Sequence, residues 1–160
     1  MHIKIISVGK IKERYFVDAI NEYSKRLSAY CDLEMIEVQD ESISKNSNDS
    51  LDKIIKEKEG ERILTKIKSG EYIILLDFEK SKEYDSISFS KHIEDLMCSS
   101  QSRITFIIGG SLGLGENIRK VANERMLLSK MTFTHQMTKV ILLEQIYRAF
   151  KIMNHENYHK

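Results

Sequence analysis

The chain has 160 residues, enough for one sizeable hydrophobic core and too few for two ordinary domains of roughly 100 to 200 residues each. Hydrophobic residues make up 41% and charged residues 31%, and no apolar run approaches the roughly 20 residues that span a bilayer. The net charge of +1 hides an asymmetry, because residues 119–160 contain eight Lys and Arg against three Asp and Glu. With no recognisable signal peptide, these features predict one cytoplasmic domain over residues 1–160, with a basic end suited to a polyanion.

The first part of the chain reads as strand, helix and a further β-like segment. A β-rich run at residues 3–8 stops at Gly9, and apolar residues at helical spacing follow over residues 13–29. Residues 33–38 then alternate apolar and acidic side chains. The polar stretch 39–50 has almost nothing to bury, so it is expected to be a surface loop.

A second helix is expected over residues 50–68, with Ser50 as its N-cap candidate. Gly60 interrupts the helical pattern at a cost of about 1 kcal/mol relative to Ala, and it marks either a bend or a close contact. Gly70 is expected to end this helix, since glycine readily adopts the conformation that follows a helix.

Two continuous apolar runs, at residues 72–76 and 103–108, read as strands buried on both faces. A helical pattern at residues 89–97 lies between them. Strand, helix and strand with short connections indicate a right-handed crossover and a parallel sheet. The fold class predicted from these patterns is α/β, with helices on both faces of a parallel sheet.

A short helix at residues 116–123, a short strand at 126–128 and a long helix at 137–153 complete the chain. The last helix is apolar nearly all round, so it needs more cover than one sheet face gives, and homodimerisation is the simple explanation. Its narrow polar strip is expected to consist of Lys139, Glu144, Arg148 and Lys151.

The glycine cluster at residues 109–115 suggests two nucleotide-binding templates. A Rossmann fingerprint that starts at Gly113 requires glycine where Ile118 stands, and a P-loop that starts at Gly110 requires lysine where Glu116 stands. Both templates fail. A glycine-rich turn without a ligand stays open, as does a backbone-lined site for a flat ligand such as adenine.

The chain resembles the large-subunit ribosomal RNA methyltransferase H family of the SPOUT superfamily. The resemblance is carried by IIGGSLGLG at residues 107–115, LLSKMTFTHQM at 127–137, VILLEQIYRAFKIM at 140–153 and HENYHK at 155–160. It extends over the whole chain, from MHIKIISVGKIKERY onward. One departure is Thr134, where many relatives have proline. The resemblance implies methylation of N3 of a pseudouridine in large-subunit ribosomal RNA. Because so small a chain has no separate RNA-binding domain, we expect the RNA, within an assembled ribosome, to be gripped across a homodimer in which one subunit's tail completes the other's pocket.

The resemblance also implies a C-terminal trefoil knot over about residues 72–160, in which S-adenosylmethionine binds and S-adenosylhomocysteine is left as product. Residues and resemblance agree here, because the implied loops follow predicted strands, where parallel sheets present their ligands. The implied cofactor-binding residues are Leu76, Gly109, Gly110, Leu128, Ser129, Lys130, Met131, Thr132 and Phe133.

Four residues of the basic end are candidates for catalysis or RNA binding. His159 could take the N3 proton, Arg148 could steady negative charge, and Tyr158 could stack on a base. His135 is a fourth candidate, and a capping role ahead of the last helix is the alternative for it. Arg148 could equally pair with Glu144 four residues earlier. No metal is required, and Cys31 and Cys98 lie too far apart to indicate a zinc site or a disulfide framework.

Two other functions stay open on the sequence alone. The chain could be a ribosome-associated RNA-binding protein without catalysis, which need not bind S-adenosylmethionine. It could instead be a SPOUT enzyme that acts on transfer RNA, although no added RNA-binding domain is present in the 160 residues.

Overall fold

Residues 1–159 are described by a computed structural model, in which six parallel strands form one sheet in the order β2-β1-β5-β3-β6-β4. The strands are β1 (His2–Val8), β2 (Asp32–Val38), β3 (Tyr72–Leu76), β4 (Lys82–Glu83), β5 (Arg103–Ile108) and β6 (Glu124–Leu127). The helices are α1 (Arg14–Leu27), α2 (Asp49–Leu64), α3 (Ser86–Cys98), α4 (Glu116–Arg119) and α5 (His135–Met153). The predicted α/β class with a parallel sheet is confirmed.

Helices cover both faces of the sheet, as predicted. Neighbouring residues of β1 point to opposite faces, so Ile5 joins the core beneath α1, α3 and α5, while Ile6 joins the core beneath α2 and α4. The central strands are accordingly buried on both sides: Ile104, Phe106 and Ile107 of β5 are all inaccessible to solvent. This double burial explains why β3 and β5 read as continuous apolar runs.

The amino-terminal edge of the sheet contains a buried ion pair between Lys4 and Glu71. Thr105 Oγ1 donates to Glu71 Oε2 at 2.9 Å, and Lys4 Nζ also donates to the carbonyl oxygen of Lys66 at 3.0 Å. Burial raises the pKa of Glu71, but the hydrogen bonds from Lys4 and Thr105 outweigh it, so that the pKa lies below its ordinary value. The group is fully hydrogen-bonded, as a buried charge must be.

The start of α2 differs from the prediction. Asn48, and not Ser50, is the N-cap, and its side chain accepts a hydrogen bond from Leu51 N–H at 3.0 Å. Both residue types cap helices well, so the sequence pattern could not choose between them. The helix ends at Leu64, and Gly70 lies in the following turn with a φ of +80°.

Helix α5 corrects two expectations. Lys139, placed in the polar strip by the sequence pattern, is 1% exposed, and its Nζ pairs with Glu37 Oε1 of β2 at 2.8 Å. The apolar residues of α5 pack against α1, α3 and the sheet within one chain, and none from residues 140–152 is exposed. The sequence-based reason for a partner subunit therefore does not hold for this helix, although the dimer itself stays a prediction.

Smaller differences lie around the carboxyl end of β3. Strand β4 was not predicted, and α3 begins at Ser86 because Asp85 and Ser88 form a reciprocal capping box. Helix α4 is one turn long, and β6 begins at Glu124. The knot implied by the resemblance stays a prediction. Within residues 1–159, no helix combines the length and apolar character needed to cross a membrane.

Candidate functional site

A cleft of about 730 Å³ opens where β3, β5 and β6 end at the carboxyl edge of the sheet. Its volume is within the range of small-molecule sites, roughly 300 to 1,000 Å³. The structure brings eight of the nine predicted cofactor residues to its walls. They are Leu76, Gly109, Gly110, Leu128, Ser129, Met131, Thr132 and Phe133.

The glycine loop, defined here as residues 109–115, forms one wall of the cleft. Its backbone is pinned by a bridge between Gly110 and Gly113, with Gly113 N–H donating to Gly110 O at 3.0 Å. A Cβ on Gly109 would lie 2.9 Å from the carbonyl carbon of Gly113. Gly113 itself has a φ of +86°, a conformation that side chains rarely adopt. The fold of the loop requires these glycines whether or not a ligand is bound.

The loop between β6 and α5 forms the opposite wall. Ser129 Oγ accepts a hydrogen bond from Met131 N–H at 3.0 Å, and Thr134 caps α5 by accepting from Met137 N–H at 3.3 Å. Lys130 is the one predicted cofactor residue outside the walls of the cleft, since its side chain is 80% exposed and lies 3.6 Å from Glu83. The hydrogen bond from Met137 N–H to the Thr134 hydroxyl is one that a proline at position 134 could not accept, because its side chain has no oxygen.

Large apolar side chains are exposed at the mouth of the cleft. Met131 is 74% exposed, and Phe78 and Phe133 are exposed as well. All three contribute to the lining of the cleft. Exposed apolar groups gathered around one opening are typical of a surface that another molecule covers.

An ion pair between Arg119 and Asp77, which the sequence did not predict, lies at the rim of the cleft. Arg119 of α4 donates two hydrogen bonds to Asp77, from Nε at 2.8 Å and from Nη2 at 3.1 Å. Its Nη1 also donates to Glu79 and Glu116 at 2.9 and 2.8 Å. This joins the segment after β3 to the segment after the glycine loop. The position of Asp77 directly after a buried strand was a usable signal, but nothing in the sequence pointed to Arg119.

His135 lies in the cleft wall at the first turn of α5. It does not cap the helix, because Thr134 occupies that position, so the capping alternative for His135 is wrong. Its ring is packed against Gly9 at the end of β1, where a Cβ would lie 3.3 Å from His135 Nε2. His135 is thus the only one of the four catalytic candidates that lines this chain's cleft.

The other three candidates gather at the opposite end of α5. Arg148 donates to Glu144 Oε1 from Nε at 3.0 Å and from Nη2 at 2.6 Å, and Tyr158 OH donates to the same oxygen at 3.1 Å. The guanidinium of Arg148 lies 4.7 Å from the centre of the Tyr158 ring, and its Nη1 is 3.4 Å from His159 Nδ1. The pairing of Arg148 with Glu144 and its proximity to the tail are both present, so the two alternatives are compatible.

Aromatic residues hold the tail in place. Tyr158 packs edge-on against Tyr147 at 5.0 Å between ring centres. The guanidinium of Arg26 in α1 lies 5.9 Å from the ring of Tyr23 and 5.8 Å from that of Tyr147. Burial, together with hydrogen bonding to Tyr23 and the charge of Glu144, raises the pKa of Tyr158 to about 12, so its hydroxyl stays a donor at neutral pH.

The two groups of candidates are far apart within one chain. His135 and Arg148 are separated by 13 residues of the same helix, which corresponds to roughly 20 Å at 1.5 Å per residue. A reaction at the cleft needs groups within a few ångströms of the reacting atoms. Arg148, together with Tyr158 and His159 beside it, therefore lies well away from His135 in the same chain.

Comparisons with known proteins agree with this architecture. The family described as "Predicted SPOUT methyltransferase" matches residues 1–159. Ribosomal RNA large subunit methyltransferase H 1 of Clostridium perfringens is 52% identical over 160 residues, and ribosomal RNA large subunit methyltransferase H of Ruminiclostridium cellulolyticum is 50% identical, with both chains covered completely in each case.

Among solved structures, the fold is similar to "a probable methylase family protein" from Haemophilus influenzae. That likeness has a TM-score of 0.56 at 11% sequence identity, and it covers 99% of this chain and 70% of the other. At so low an identity it bears on the fold alone.

Proposed function

Because the chain belongs to the SPOUT methyltransferase family, we propose that it transfers a methyl group from S-adenosylmethionine to N3 of a pseudouridine in large-subunit ribosomal RNA. The substrate class follows from two relatives, 52% and 50% identical over their full length, that are named ribosomal RNA large subunit methyltransferases. The base and the atom methylated follow the resemblance in the sequence. The observation that carries the proposal is the cleft, which unites residues from the three loops that the family resemblance implies for the methyl donor.

The cleft fits an adenine-containing donor. Its interior walls include Leu76, Leu114, Met126 and Leu128, which offer apolar surface to a flat ring. The glycine loop and residues 128–129 and 131–133 border the same space, where backbone N–H and C=O groups are suited to pair with the polar edges of a base. S-adenosylmethionine, when bound, supplies an electrophilic methyl group on a sulfonium sulfur.

The residues of the chain have two tasks in such a transfer. They must hold the RNA base in line with the methyl group, and they must assist loss of the N3 proton. His159 is our candidate for accepting that proton, and Arg148 is our candidate for binding a phosphate or developing negative charge. Tyr158, which stays protonated, is suited to stacking or donating a hydrogen bond to the base.

A homodimer reconciles these roles with the distance along α5. We infer that the tail of one subunit reaches the cleft of the other, so that each active site combines one cleft with Arg148, Tyr158 and His159 of the partner. The exposed apolar side chains of Phe78, Met131 and Phe133 around the mouth of the cleft supply a surface for this contact. The basic residues of the C-terminal quarter then surround the RNA.

The test of the reaction is mass spectrometry of ribosomal RNA from cells with and without the chain, together with calorimetric binding of S-adenosylhomocysteine. We expect one methyl group to be lost from one pseudouridine, and binding of the product cofactor to the isolated protein. Binding without any change in the RNA would point to a different substrate. Association with ribosomes without cofactor binding would favour the non-catalytic RNA-binding function.

The test of the composite site is complementation between two defective chains. Arg148→Ala damages the tail side, and Gly110→Val damages the cleft, because even a Cβ there would lie 3.0 Å from Glu59 Oε2. Each variant should be inactive alone, whereas co-expression should restore activity through heterodimers that contain one intact site. A mixture that stays inactive, although heterodimers are recovered by differential tagging, would show that each chain works alone.

A further inference from the structure

Helix α2 supports the glycine loop from the side away from the cleft. The carboxylate of Glu57 accepts a hydrogen bond from Glu116 N–H at 3.0 Å, and its carbonyl accepts from Asn117 Nδ2 at 2.8 Å. A Cβ on Gly115 would lie 2.9 Å from the carbonyl oxygen of Lys56. One turn of α2 therefore touches both the end of the glycine loop and the start of α4.

Glu59, in the same turn, faces the glycine loop with a buried carboxyl group. The residue is 5% exposed. Its Oε1 accepts a hydrogen bond from Glu41 N–H at 3.0 Å, but its Oε2 is buried and has no hydrogen-bond partner in the described part of the chain. A buried oxygen without a partner is costly, and far more so when it carries charge.

The unpaired oxygen lies directly behind Gly110. A Cβ built on Gly110 would be 3.0 Å from Glu59 Oε2 and 3.1 Å from Val8 Cγ1, so that glycine is the residue that fits there without displacing its neighbours. Gly110 faces the cleft on its other side. The back of this cleft wall thus lies against the carboxyl group of a residue that does not line the cleft.

We propose that Glu59 is a positioning residue for the cofactor cleft, and that its neutral carboxyl group holds the glycine loop in the shape that binds the methyl donor. Anchored by the Glu41 amide, the carboxyl presents a second oxygen that only the protonated form can keep next to Gly110 without a counter-ion. The inference rests on the proposed function, since it assumes that the cleft binds S-adenosylmethionine.

The surroundings of Glu59 raise its pKa above the ordinary value, and burial is the largest cause. Burial raises its pKa, and the carboxylates of Asp40 and Glu41 raise it further, while the Glu41 N–H and the guanidinium of Arg62 act in the opposite direction. The residues that face it from the glycine loop and β1, Gly110 and Val8, bear no charge. As the pH rises through the raised pKa, a carboxylate forms behind the loop with one oxygen unpaired, and the loop should loosen.

Three variants test this role. Glu59→Gln retains an acceptor for the Glu41 amide and stays neutral at every pH, whereas Glu59→Ala removes the support. The matched control is Glu61→Ala, which removes an exposed carboxylate from the same helix. Binding of S-adenosylhomocysteine is measured by calorimetry from acidic to mildly alkaline pH. Hydrogen exchange of residues 109–115 is measured without ligand.

Glu59→Ala should weaken binding about tenfold, which corresponds to about 1.4 kcal/mol, and should speed exchange in the glycine loop. Glu59→Gln should bind like the wild type at acidic pH. The ratio of wild-type to Glu59→Gln affinity should fall as the pH rises, because titration of the ligand itself cancels in that ratio. Glu61→Ala should match the wild type throughout.

Other outcomes would overturn the inference. A ratio that does not change with pH would show that the proton on Glu59 has no role, and a Glu59→Gln variant as weak as Glu59→Ala would show that only the native side chain packs there. If the wild type does not bind S-adenosylhomocysteine, the proposed function fails first. The exchange of the glycine loop in Glu59→Ala and Glu59→Gln then still decides whether Glu59 supports the loop.

Discussion

The ion pair between Lys139 and Glu37 should respond very differently to removal of either partner. The two side chains are 2.8 Å apart, but Lys139 is 1% exposed whereas Glu37 is 36% exposed. Replacing Glu37 with Ala leaves a buried ammonium group without an anion. Replacing Lys139 with Met leaves the Glu37 carboxylate, which water can still reach. The methionine side chain has a volume similar to that of the aliphatic part of the lysine, so the space stays filled.

The expected magnitudes follow from this difference in exposure. Breaking a buried pair so that one charge is left unpaired costs about 3 to 5 kcal/mol, whereas replacing a buried ionic group by apolar atoms is often close to neutral. We therefore expect Glu37→Ala to lower the free energy of unfolding by about 3 kcal/mol or more. Lys139→Met should remain within about 1 kcal/mol of the wild type.

The measurement is urea unfolding at one fixed protein concentration, because subunit association would otherwise add to the apparent stability. Lys58→Met, at an exposed position of α2, is the control for the same chemical change without burial. If Lys139→Met is as destabilising as Glu37→Ala, the difference in exposure does not decide the outcome, and the reasoning is refuted.

Three further variants probe other contacts. Gly60→Ala would ordinarily stabilise a helix interior by about 1 kcal/mol. Here the new Cβ would lie 2.2 Å from Asn117 Oδ1, so we expect the substitution to destabilise the wild type. In an Asn117→Ala background it should stabilise the protein, and a double-mutant cycle measures the difference. Because the pKa of Glu71 is lowered, its contribution to stability is fully present above its ordinary pKa of 4.5 and is lost as the pH falls through the lowered value. Glu71→Gln should therefore flatten the fall in the free energy of unfolding at acidic pH, measured by chemical denaturation. An unchanged fall would assign it to other groups. Arg119→Ala, which releases Asp77 at the rim, should weaken calorimetric binding of S-adenosylhomocysteine about tenfold, and unaltered affinity would make the pair purely structural.

The sequence predicts the buried strands most accurately. The expected ranges 72–76 and 103–108 agree with β3 and β5 at both ends, because strands covered on both faces leave continuous apolar runs between polar residues. The pattern fails where local rules compete. Asn48 and Ser50 are equivalent capping signals, and the two-residue strand β4 is too short to leave a pattern.

Side-chain roles set by tertiary contacts were harder to predict. Lys139 looks like a solvated residue in the sequence, because its partner Glu37 is 102 residues away. Arg119 likewise takes its meaning from Asp77, 42 residues earlier. The family resemblance implies one site for nine residues, and the structure gathers eight of them at one cleft, whereas the side chain of Lys130 is mostly exposed. Binding of the cofactor by these residues stays a prediction.

Buried charged groups are paired at both ends of the strands, as in Lys4–Glu71 and Arg119–Asp77, but unpaired polar atoms gather at the carboxyl end. At the amino-terminal edge, Lys4 and Glu71 are completely paired, which suits a purely structural role. Among residues 1–159, three buried side-chain atoms have no hydrogen-bond partner, and two of them, Ser7 Oγ and Glu59 Oε2, lie at the carboxyl edge beside the cleft. The third, His92 Nε2, still faces a carboxylate at 2.7 Å. Since buried polar groups are normally paired, these two open atoms mark a departure from that rule, and the departure lies next to the loops proposed to bind the methyl donor.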